Sequence, residues 1–135
     1  IIGTYMKLKF DSKLDFQLEA VSSVVGVFKG QRIPNSDFPF IAENGTIPNR
    51  ITATEKQILE NLKDVQRLNA ITESKKLDGM NFTVEMETGT GKTYVYLRTL
   101  LELNKKCGFQ KFIIIVPSVA IREGVLKTTS RLLGN

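Results

Sequence analysis

The feature that most constrains the fold of this chain is a glycine-rich motif, "GTGKT" at 89–93, between two segments of different periodicity. A β-prone run, "NFTVEM" at 81–86, precedes it, and an amphipathic run over 92–108 follows it. Alternate glycines let successive backbone amides converge on an anion, and the N-terminus of the next helix adds partial positive charge. The motif predicts a strand–turn–helix unit that binds a polyphosphate. The alternative is a glycine turn with a solvated lysine.

The lysine and threonine of this motif suit a nucleotide with its metal ion. Lys92 would reach the β and γ phosphates as a compact cation, and the Thr93 hydroxyl would help to hold Mg²⁺. We therefore predict ATP and Mg²⁺ as cofactors, with Lys92 and Thr93 as the catalytic pair and Thr93 as the metal ligand. The motif departs from G-x-x-x-x-G-K-[ST] at its first glycine, where this chain has Met86. The predicted nucleotide-binding residues around it are Thr88, Gly89, Thr90, Gly91, Lys92, Thr93 and Tyr94.

The remaining segments predict an α/β fold with parallel strands flanked by helices. "FIIIVP" at 112–117 is a nearly continuous apolar run, which is typical of a strand buried on both faces of a parallel sheet. One helix is predicted over 15–30, with Asp15 as a possible cap, Gly30 as a stop, and an apolar stripe that consists of Phe16, Ala20, Val21, Val24 and Phe28. Another is predicted over 52–79, with Thr52 and Glu55 as a capping box and an apolar stripe that runs from Ile58 to Ile71. A last helix over 119–133 would be capped by Ser118. "MKLKF" at 6–10 predicts a short strand or extended arm.

The predicted helices and strands form one domain over 1–135, with a loop or linker within it. The segment 31–50 holds three of the four prolines and an Asn44-Gly45 turn pair. Strand, helix and strand around the glycine motif would make one right-handed βαβ unit.

Composition excludes several classes of function. The chain contains no histidine and one cysteine, Cys107, so histidine-dependent nucleophilic schemes and most zinc sites are excluded, and Cys107 is interpreted as a packing residue. Lack of an internal disulfide fits a reducing cytoplasm, and no apolar stretch approaches the ~20 residues of a membrane span. The net charge of +5 is compatible with a polyanionic partner.

Two longer segments carry a family resemblance. Residues 84–125, "VEMETGTGKTYVYLRTLLELNKKCGFQKFIIIVPSVAIREGV", resemble motifs I and Ia of the restriction (Res) subunit of Type III restriction-modification enzymes. "LDFQLEAV" at 14–21 is similar to the glutamine motif that precedes them. "METGTGKT" and "VPSVAIREGV" together are specific to this family, whereas the glutamine segment alone is a weak signal. The resemblance implies a partial P-loop NTPase (RecA-like) lobe from a superfamily 2 helicase or translocase motor.

The resemblance also implies roles, partners and an activity. Gln17 would contact the adenine edge, since an amide both donates and accepts there; an exposed polar position is the alternative. Pro117, Ser118 and Arg122 would lie along the DNA backbone, although Arg122 and Glu123 could form a surface pair. The intact enzyme would be an ATP-dependent, site-specific endonuclease acting on double-stranded DNA with a modification (methyltransferase) subunit.

Hydrolysis by such motors needs an acidic motif after the segments found here. The sequence after Val125 holds only "LKTTSRLLGN", so we expect this chain to represent the amino-terminal part of a larger protein, to bind ATP weakly and to hydrolyse it poorly. We also expect a marginal or self-associating fold, because the apolar run at 112–116 would lack neighbours. The alternatives are a superfamily 2 helicase without a nuclease and a non-catalytic nucleotide- or DNA-binding module.

Overall fold

The described part of the molecule consists of helices joined by extended segments. A computed structural model describes residues 14–33 and 48–133; the extended arm predicted at 6–10 and most of the loop predicted at 31–50 lie outside these residues. The helices are α1 (Asp15–Val27), α2 (Glu55–Leu68), α3 (Lys92–Cys107) and α4 (Val119–Leu133). α1 packs against both α2 and α3, and α3 contacts α4.

The predicted α/β class is wrong for the described residues, which contain four helices and no strand. Both apolar runs lie outside the helices, and neither forms a ladder with another segment of the described residues. The first run instead places Phe82 and Met86 against the helices. The residues just before the second run are bonded to a side chain: the amides of Gln110 and Lys111 donate to Asn49 Oδ1 at 2.8 and 3.1 Å. Apolar content predicted burial in a sheet, but only a paired neighbour makes a strand.

Three small apolar clusters hold α1 between its neighbours. Val21 packs with Tyr94 and Val95 of α3. Val27 packs with Ala53 and Ile58 at the start of α2. A further cluster joins the end of α3 to α1 through Phe28, which makes edge-to-face contacts with Phe82 and Phe109 at centroid distances of 6.1 and 5.4 Å. Because α1 touches all three clusters, its position fixes α2 relative to α3.

The predicted bounds of α1 are wrong at both ends. The N-cap is Leu14, not Asp15, and no side chain of the described residues caps this end. The helix ends at Val27, three residues before the predicted stop at Gly30. Phe16, placed by its spacing on the apolar stripe, is 45% exposed, whereas Val21 of the same stripe is buried. Gly30 adopts a φ of +87°, which is a conformation that favours glycine, and it lies in the turn that follows the helix.

The cap of α2 lies two residues later than predicted, and the helix ends earlier. Its capping box uses Thr54 and Gln57: the Gln57 amide donates to Thr54 Oγ1 at 3.3 Å, and the Thr54 amide donates to Gln57 Oε1 at 2.9 Å. Thr52 is engaged elsewhere, because its amide donates to Gln31 Oε1 at 2.9 Å. The helix ends at Leu68, and Ile71, predicted to lie on its apolar stripe, is exposed.

The C-terminus of α2 closes with a Schellman motif that contains a residue other than glycine. The Ile71 amide donates to the Gln66 carbonyl at 2.8 Å, the Ala70 amide donates to the Arg67 carbonyl at 3.2 Å, and Ala70 has a φ of +55°. A left-handed conformation costs a residue with a Cβ about 1–2 kcal/mol. Ala70 therefore stores strain that glycine would remove.

We expect Ala70→Gly to stabilise the chain. The relieved strain exceeds the extra unfolded-state entropy of glycine, so the free energy of unfolding should rise by about 0.5–1 kcal/mol. Denaturant unfolding followed by circular dichroism measures the change. Ala20→Gly, inside α1, is the matched control and should lose about 1 kcal/mol. Equal destabilisation by both substitutions would contradict the strain at Ala70.

The predictions for α3 and α4 are confirmed. α3 ends at Cys107, and Gly108 follows in the left-handed region with a φ of +71°. Cys107 is a buried packing residue, and burial raises the pKa of its thiol. Glu102 joins two cations of the same helix, and the hydrogen bond from Lys106, with a lesser contribution from Arg98, lowers the pKa of its carboxyl group. Ser118 caps α4, since its Oγ accepts from the Ile121 amide at 3.3 Å.

The apolar run at 112–116 is left on the surface. Ile113 and Ile115 are each 90% exposed, and Phe112 and Ile114 are partly exposed. None of the described helices is long and apolar enough to cross a membrane. Contiguous exposed apolar side chains favour association, because burying them removes apolar area from water.

We expect the chain to self-associate through this run. Substituting both Ile113 and Ile115 with lysine should shift it toward the monomer in sedimentation equilibrium, without lowering monomer stability, since neither side chain is in a core cluster. Leu68→Lys is the control, because Leu68 is also exposed, at 86%, but lies apart from this run at the end of α2. A sharp unfolding transition of a wild-type monomer, independent of concentration, would contradict this prediction.

Candidate nucleotide-binding site

The glycine motif forms a tight loop that leads directly into the N-terminus of α3. Gly89 and Gly91 have φ values of +83° and +85°, which side chains other than glycine rarely adopt. Between them, Thr90 Oγ1 donates to the Glu87 carbonyl at 2.6 Å and closes the turn. Two left-handed residues on either side of one ordinary residue give the loop the curvature that a phosphate-binding backbone needs.

The start of α3 supplies the electrostatics of the site. Its N-cap is Gly91, which has no side chain that could cap the first turn. Such an uncapped end carries partial positive charge and unsatisfied donors, both of which favour an anion. The Lys92 side chain is exposed, and Thr93 is half-buried one residue further on. A triphosphate here would meet backbone donors, one cation and one hydroxyl.

Mg²⁺ fits this site only if the nucleotide phosphates supply some of its ligands. Among the described residues, no group of three or more His, Cys, Asp or Glu side chains could hold a metal ion. Magnesium usually keeps several waters and binds through phosphate oxygens with one or two protein ligands. The Thr93 hydroxyl together with the phosphates would meet that requirement.

Tyr94 belongs to the core rather than to the ligand side. Its side chain is buried in the cluster with Val21 and Val95. The predicted contact of Tyr94 with the nucleotide stays a prediction. Thr88, at the other end of the motif, is exposed.

Gln17 lies at the loop, as its predicted role requires, but its observed partner is the protein backbone. The side chain is buried, and its Nε2 donates to the Thr90 carbonyl at 2.8 Å. The alternative of an exposed polar position is wrong. Its Oε1 is buried and has no hydrogen-bond partner among the described residues, which leaves an acceptor beside the loop.

Sequence reasoning missed a groove that opens next to the loop. A groove of about 860 Å³ runs between α1, α2 and the extended segment at 82–87, and it reaches Thr90. Phe16, Val24, Val65, Phe82 and Met86 make its walls largely apolar, with Glu19 and Glu87 at its polar positions. The sequence places Phe16 on the apolar stripe of α1, and helical spacing does not distinguish a buried residue of that stripe from one that lines a groove.

The predicted DNA-contacting residues lie at the start of α4, away from the motif along the chain. Ser118 already accepts the Ile121 amide with its hydroxyl, and its carbonyl accepts the Arg122 amide at 3.1 Å. Pro117, Ser118 and Arg122 are all exposed. The structure brings Gln17 together with the glycine motif and leaves these three residues as a separate exposed group at one helix end.

Comparison with known proteins agrees with the loop geometry. Residues 48–135 match the family described as Type III restriction enzyme, res subunit. The chain is 38% identical over 120 residues to the Res subunit of the Type III enzyme EcoPI from Escherichia phage P1, covering 87% of this chain and 12% of that subunit. The chain belongs to the family of Type III restriction enzyme Res subunits. The resemblance found in the glycine and proline-serine segments is thereby confirmed.

Two further Res subunits show the same relationship. That of EcoP15I from Escherichia coli is 38% identical over 127 residues, covering 86% of this chain and 12% of its own length. That of StyLTI from Salmonella typhimurium is 50% identical over 56 residues, covering 42% of this chain and 6% of its own length. The chain thus spans about 12% of the length of the first two relatives.

Proposed function

We propose that this part of the Res subunit binds ATP with Mg²⁺ at the loop formed by residues 88–93. The observation that carries the proposal is the pair of left-handed glycines, Gly89 and Gly91, directly before an uncapped helix N-terminus. Lys92 would neutralise charge on the β and γ phosphates, and Thr93 would hold Mg²⁺. When bound, the metal ion would supply charge neutralisation at the phosphates. Lys92 and Thr93 are the proposed catalytic residues because both would touch the reacting end of the nucleotide.

Gln17 is proposed to contact the adenine edge through its free acceptor. No group in the described part of the chain bonds its buried Oε1, and an adenine amino group is a donor that would satisfy it. The groove beside Thr90 has apolar walls of the kind that pack against a base. Both features reach Thr90 of the loop: Gln17 Nε2 donates to its carbonyl, and Thr90 lines the end of the groove.

The experiment is a titration of the chain with ATP in the presence and absence of Mg²⁺, followed by calorimetry. We expect saturable binding that is stronger with Mg²⁺, and loss of that Mg²⁺ enhancement in Thr93→Val. Thr99→Val is the control, because the Thr99 hydroxyl is buried within α3 and donates to the Val95 carbonyl at 2.8 Å. Absence of saturable binding under either condition would overturn the proposal.

For the whole protein we propose an ATP-dependent, helicase-like motor on double-stranded DNA that cuts DNA together with a modification subunit. The support is membership of the Res family and the similarity to the Res subunits of the Type III restriction-modification enzymes EcoPI and EcoP15I. Within that protein, residues 1–135 would form part of the ATP-binding motor domain. A cytoplasmic location follows from such a role, since DNA, ATP and the modification subunit would be met there.

A contact with the DNA backbone at the start of α4 is proposed separately. Its support is the exposed group formed by Pro117, Ser118 and Arg122 at a helix N-terminus, where a phosphate is favoured. We expect Arg122→Ala to weaken DNA binding and to reduce the slope of log affinity against log salt by roughly 1. Binding measured at two salt concentrations gives this slope. Lys127→Ala, on the same helix, is the control, and equal losses in both variants would indicate general attraction of a polyanion.

A further inference from the structure

The contact between Gln17 and the phosphate loop is unusually enclosed for a polar side chain. Gln17 is 3% exposed, and its hydrogen bond to the Thr90 carbonyl joins residues 73 positions apart in the sequence. The bond therefore links α1 to the middle of the glycine motif. A buried amide that bonds a loop carbonyl restricts the peptide to which that carbonyl belongs.

The orientation of that peptide determines where one phosphate-binding donor points. In a trans peptide, the C=O and N–H groups point in opposite directions. Holding the Thr90 carbonyl toward Gln17 therefore turns the Gly91 N–H away from α1. The loop thus has one amide donor oriented before any ligand arrives, and orientation in advance reduces the free energy cost of binding.

Gly91 shows that this contact is closely packed. A Cβ added at Gly91 would lie 2.5 Å from Gln17 Nε2, so the carboxamide would have to shift to admit a side chain at that position. At Gly89, which has the same sign of φ, an added Cβ would meet no atom within 4 Å. The Gln17 carboxamide therefore occupies the space beside the α-carbon of one loop glycine and not of the other.

We propose that Gln17 is a positioning residue that presets the phosphate loop through the Thr90 carbonyl, and that it does so for any ligand with a triphosphate, whatever its base. This inference rests on the nucleotide site proposed above and adds a second role for Gln17. The Nε2 group serves the loop, and the Oε1 group remains for the base. Gln17 thus supports affinity for the phosphates even when no adenine is present.

The test separates the loop from the base by using inorganic tripolyphosphate as a probe beside ATP, both with Mg²⁺. Gln17→Met keeps the volume of the side chain and removes its hydrogen bond. We expect it to weaken tripolyphosphate binding by about two- to tenfold, the range that one hydrogen bond of ordinary strength supplies. The affinity for ATP should fall by at least the same factor, and any further loss of ATP affinity measures the contact with the base.

Gln31→Met is the matched control. Gln31 is also a buried glutamine whose Nε2 donates to a backbone carbonyl, that of Arg50 at 2.6 Å, but it does not touch the loop. Its loss should lower stability and leave the affinity of the folded chain for tripolyphosphate unchanged. If Gln31→Met lowered the affinity for tripolyphosphate as much as Gln17→Met, a merely structural role would explain both losses, and the proposal would fail.

A measurement without ligand keeps the inference separate from the proposed function. In Gln17→Met, the {¹H}-¹⁵N heteronuclear NOE of Thr90 and Gly91 should fall, while the values within α3 stay as in the wild type. Tripolyphosphate binding that is unchanged in Gln17→Met, or an unchanged NOE at both residues, would overturn the positioning role. If the wild-type chain bound neither probe, the nucleotide site itself would be rejected, and the NOE alone would decide whether Gln17 orders the loop.

Discussion

Lys92→Ala is expected to weaken ATP binding by about 10- to 100-fold in the presence of Mg²⁺, the loss that one hydrogen bond between a cation and a phosphate supplies. The physical reason is the position of Lys92 as the first residue of α3, exposed and directly after the left-handed Gly91. A compact ammonium group at this point adds a full charge to the partial charge of the helix end. Calorimetric titration of both proteins gives the ratio of dissociation constants.

The controls for this substitution are available on the same helix. Lys105 is exposed in the last turn of α3, so Lys105→Ala removes the same charge from the chain at the opposite helix end. Stability should change little in either variant, because alanine is a good helix former and neither side chain is in a core cluster. Equal weakening by the two substitutions would show that ATP responds only to net charge, and the proposed site at the loop would then be rejected.

Local signals in the sequence predicted the helices more reliably than the strands. Gly108 and Ser118 bound helices because their effect is local: glycine permits the left-handed residue after α3, and a serine side chain caps α4. A strand depends on a partner elsewhere in the chain, and the apolar run at 112–116 carries no information about whether one is present. The same distinction explains α2, where Thr54 and Thr52 both suit a cap and the choice was decided by a distant residue, Gln31.

The candidate site shows a similar division. The motif at 89–93 was predictable, because its glycines, cation and hydroxyl act through neighbouring backbone. The proximity of Gln17 to the motif was implied by the family resemblance, but its bond to the Thr90 carbonyl had no sequence signal, since any polar helix position would read the same. The groove beside the loop depends on how α1 and α2 pack, and helical spacing alone placed Phe16 in the core when it is instead a wall of that groove.

Alanine substitutions at Gly124 of α4 and at Gly89 and Gly91 of the loop form a series with increasing expected cost. Gly124 has an ordinary φ and open space around it, so Gly124→Ala should stabilise α4 by about 1 kcal/mol. Gly89 has open space but a φ of +83°, so Gly89→Ala should cost about 1–2 kcal/mol of strain. The series isolates the effect of conformation before any steric contact is added.

Gly91→Ala should have the largest effect of the three on the loop, because it adds a steric conflict to the strain. Its φ of +85° carries the same cost as at Gly89, and the new Cβ would lie 2.5 Å from Gln17 Nε2. The carboxamide would have to shift, so its bond to the Thr90 carbonyl should break and add about 0.5–1.5 kcal/mol. We expect a total cost of about 2–3 kcal/mol in the free energy of unfolding, together with lost ATP affinity.

The double variant Gly91→Ala with Gln17→Ala identifies which of the two causes acts. Removing the Gln17 side chain leaves the strain of the left-handed residue in place but abolishes the clash, so the two substitutions should cost less together than the sum of their separate costs. Residues in contact typically couple by about 0.5–3 kcal/mol. Gly89→Ala combined with Gln17→Ala should be nearly additive, because no atom of Gln17 lies within 4 Å of a Cβ at Gly89. Additive costs in both pairs would show that Gln17 does not clash with a side chain at position 91. Glycine would then be required there for its backbone conformation alone.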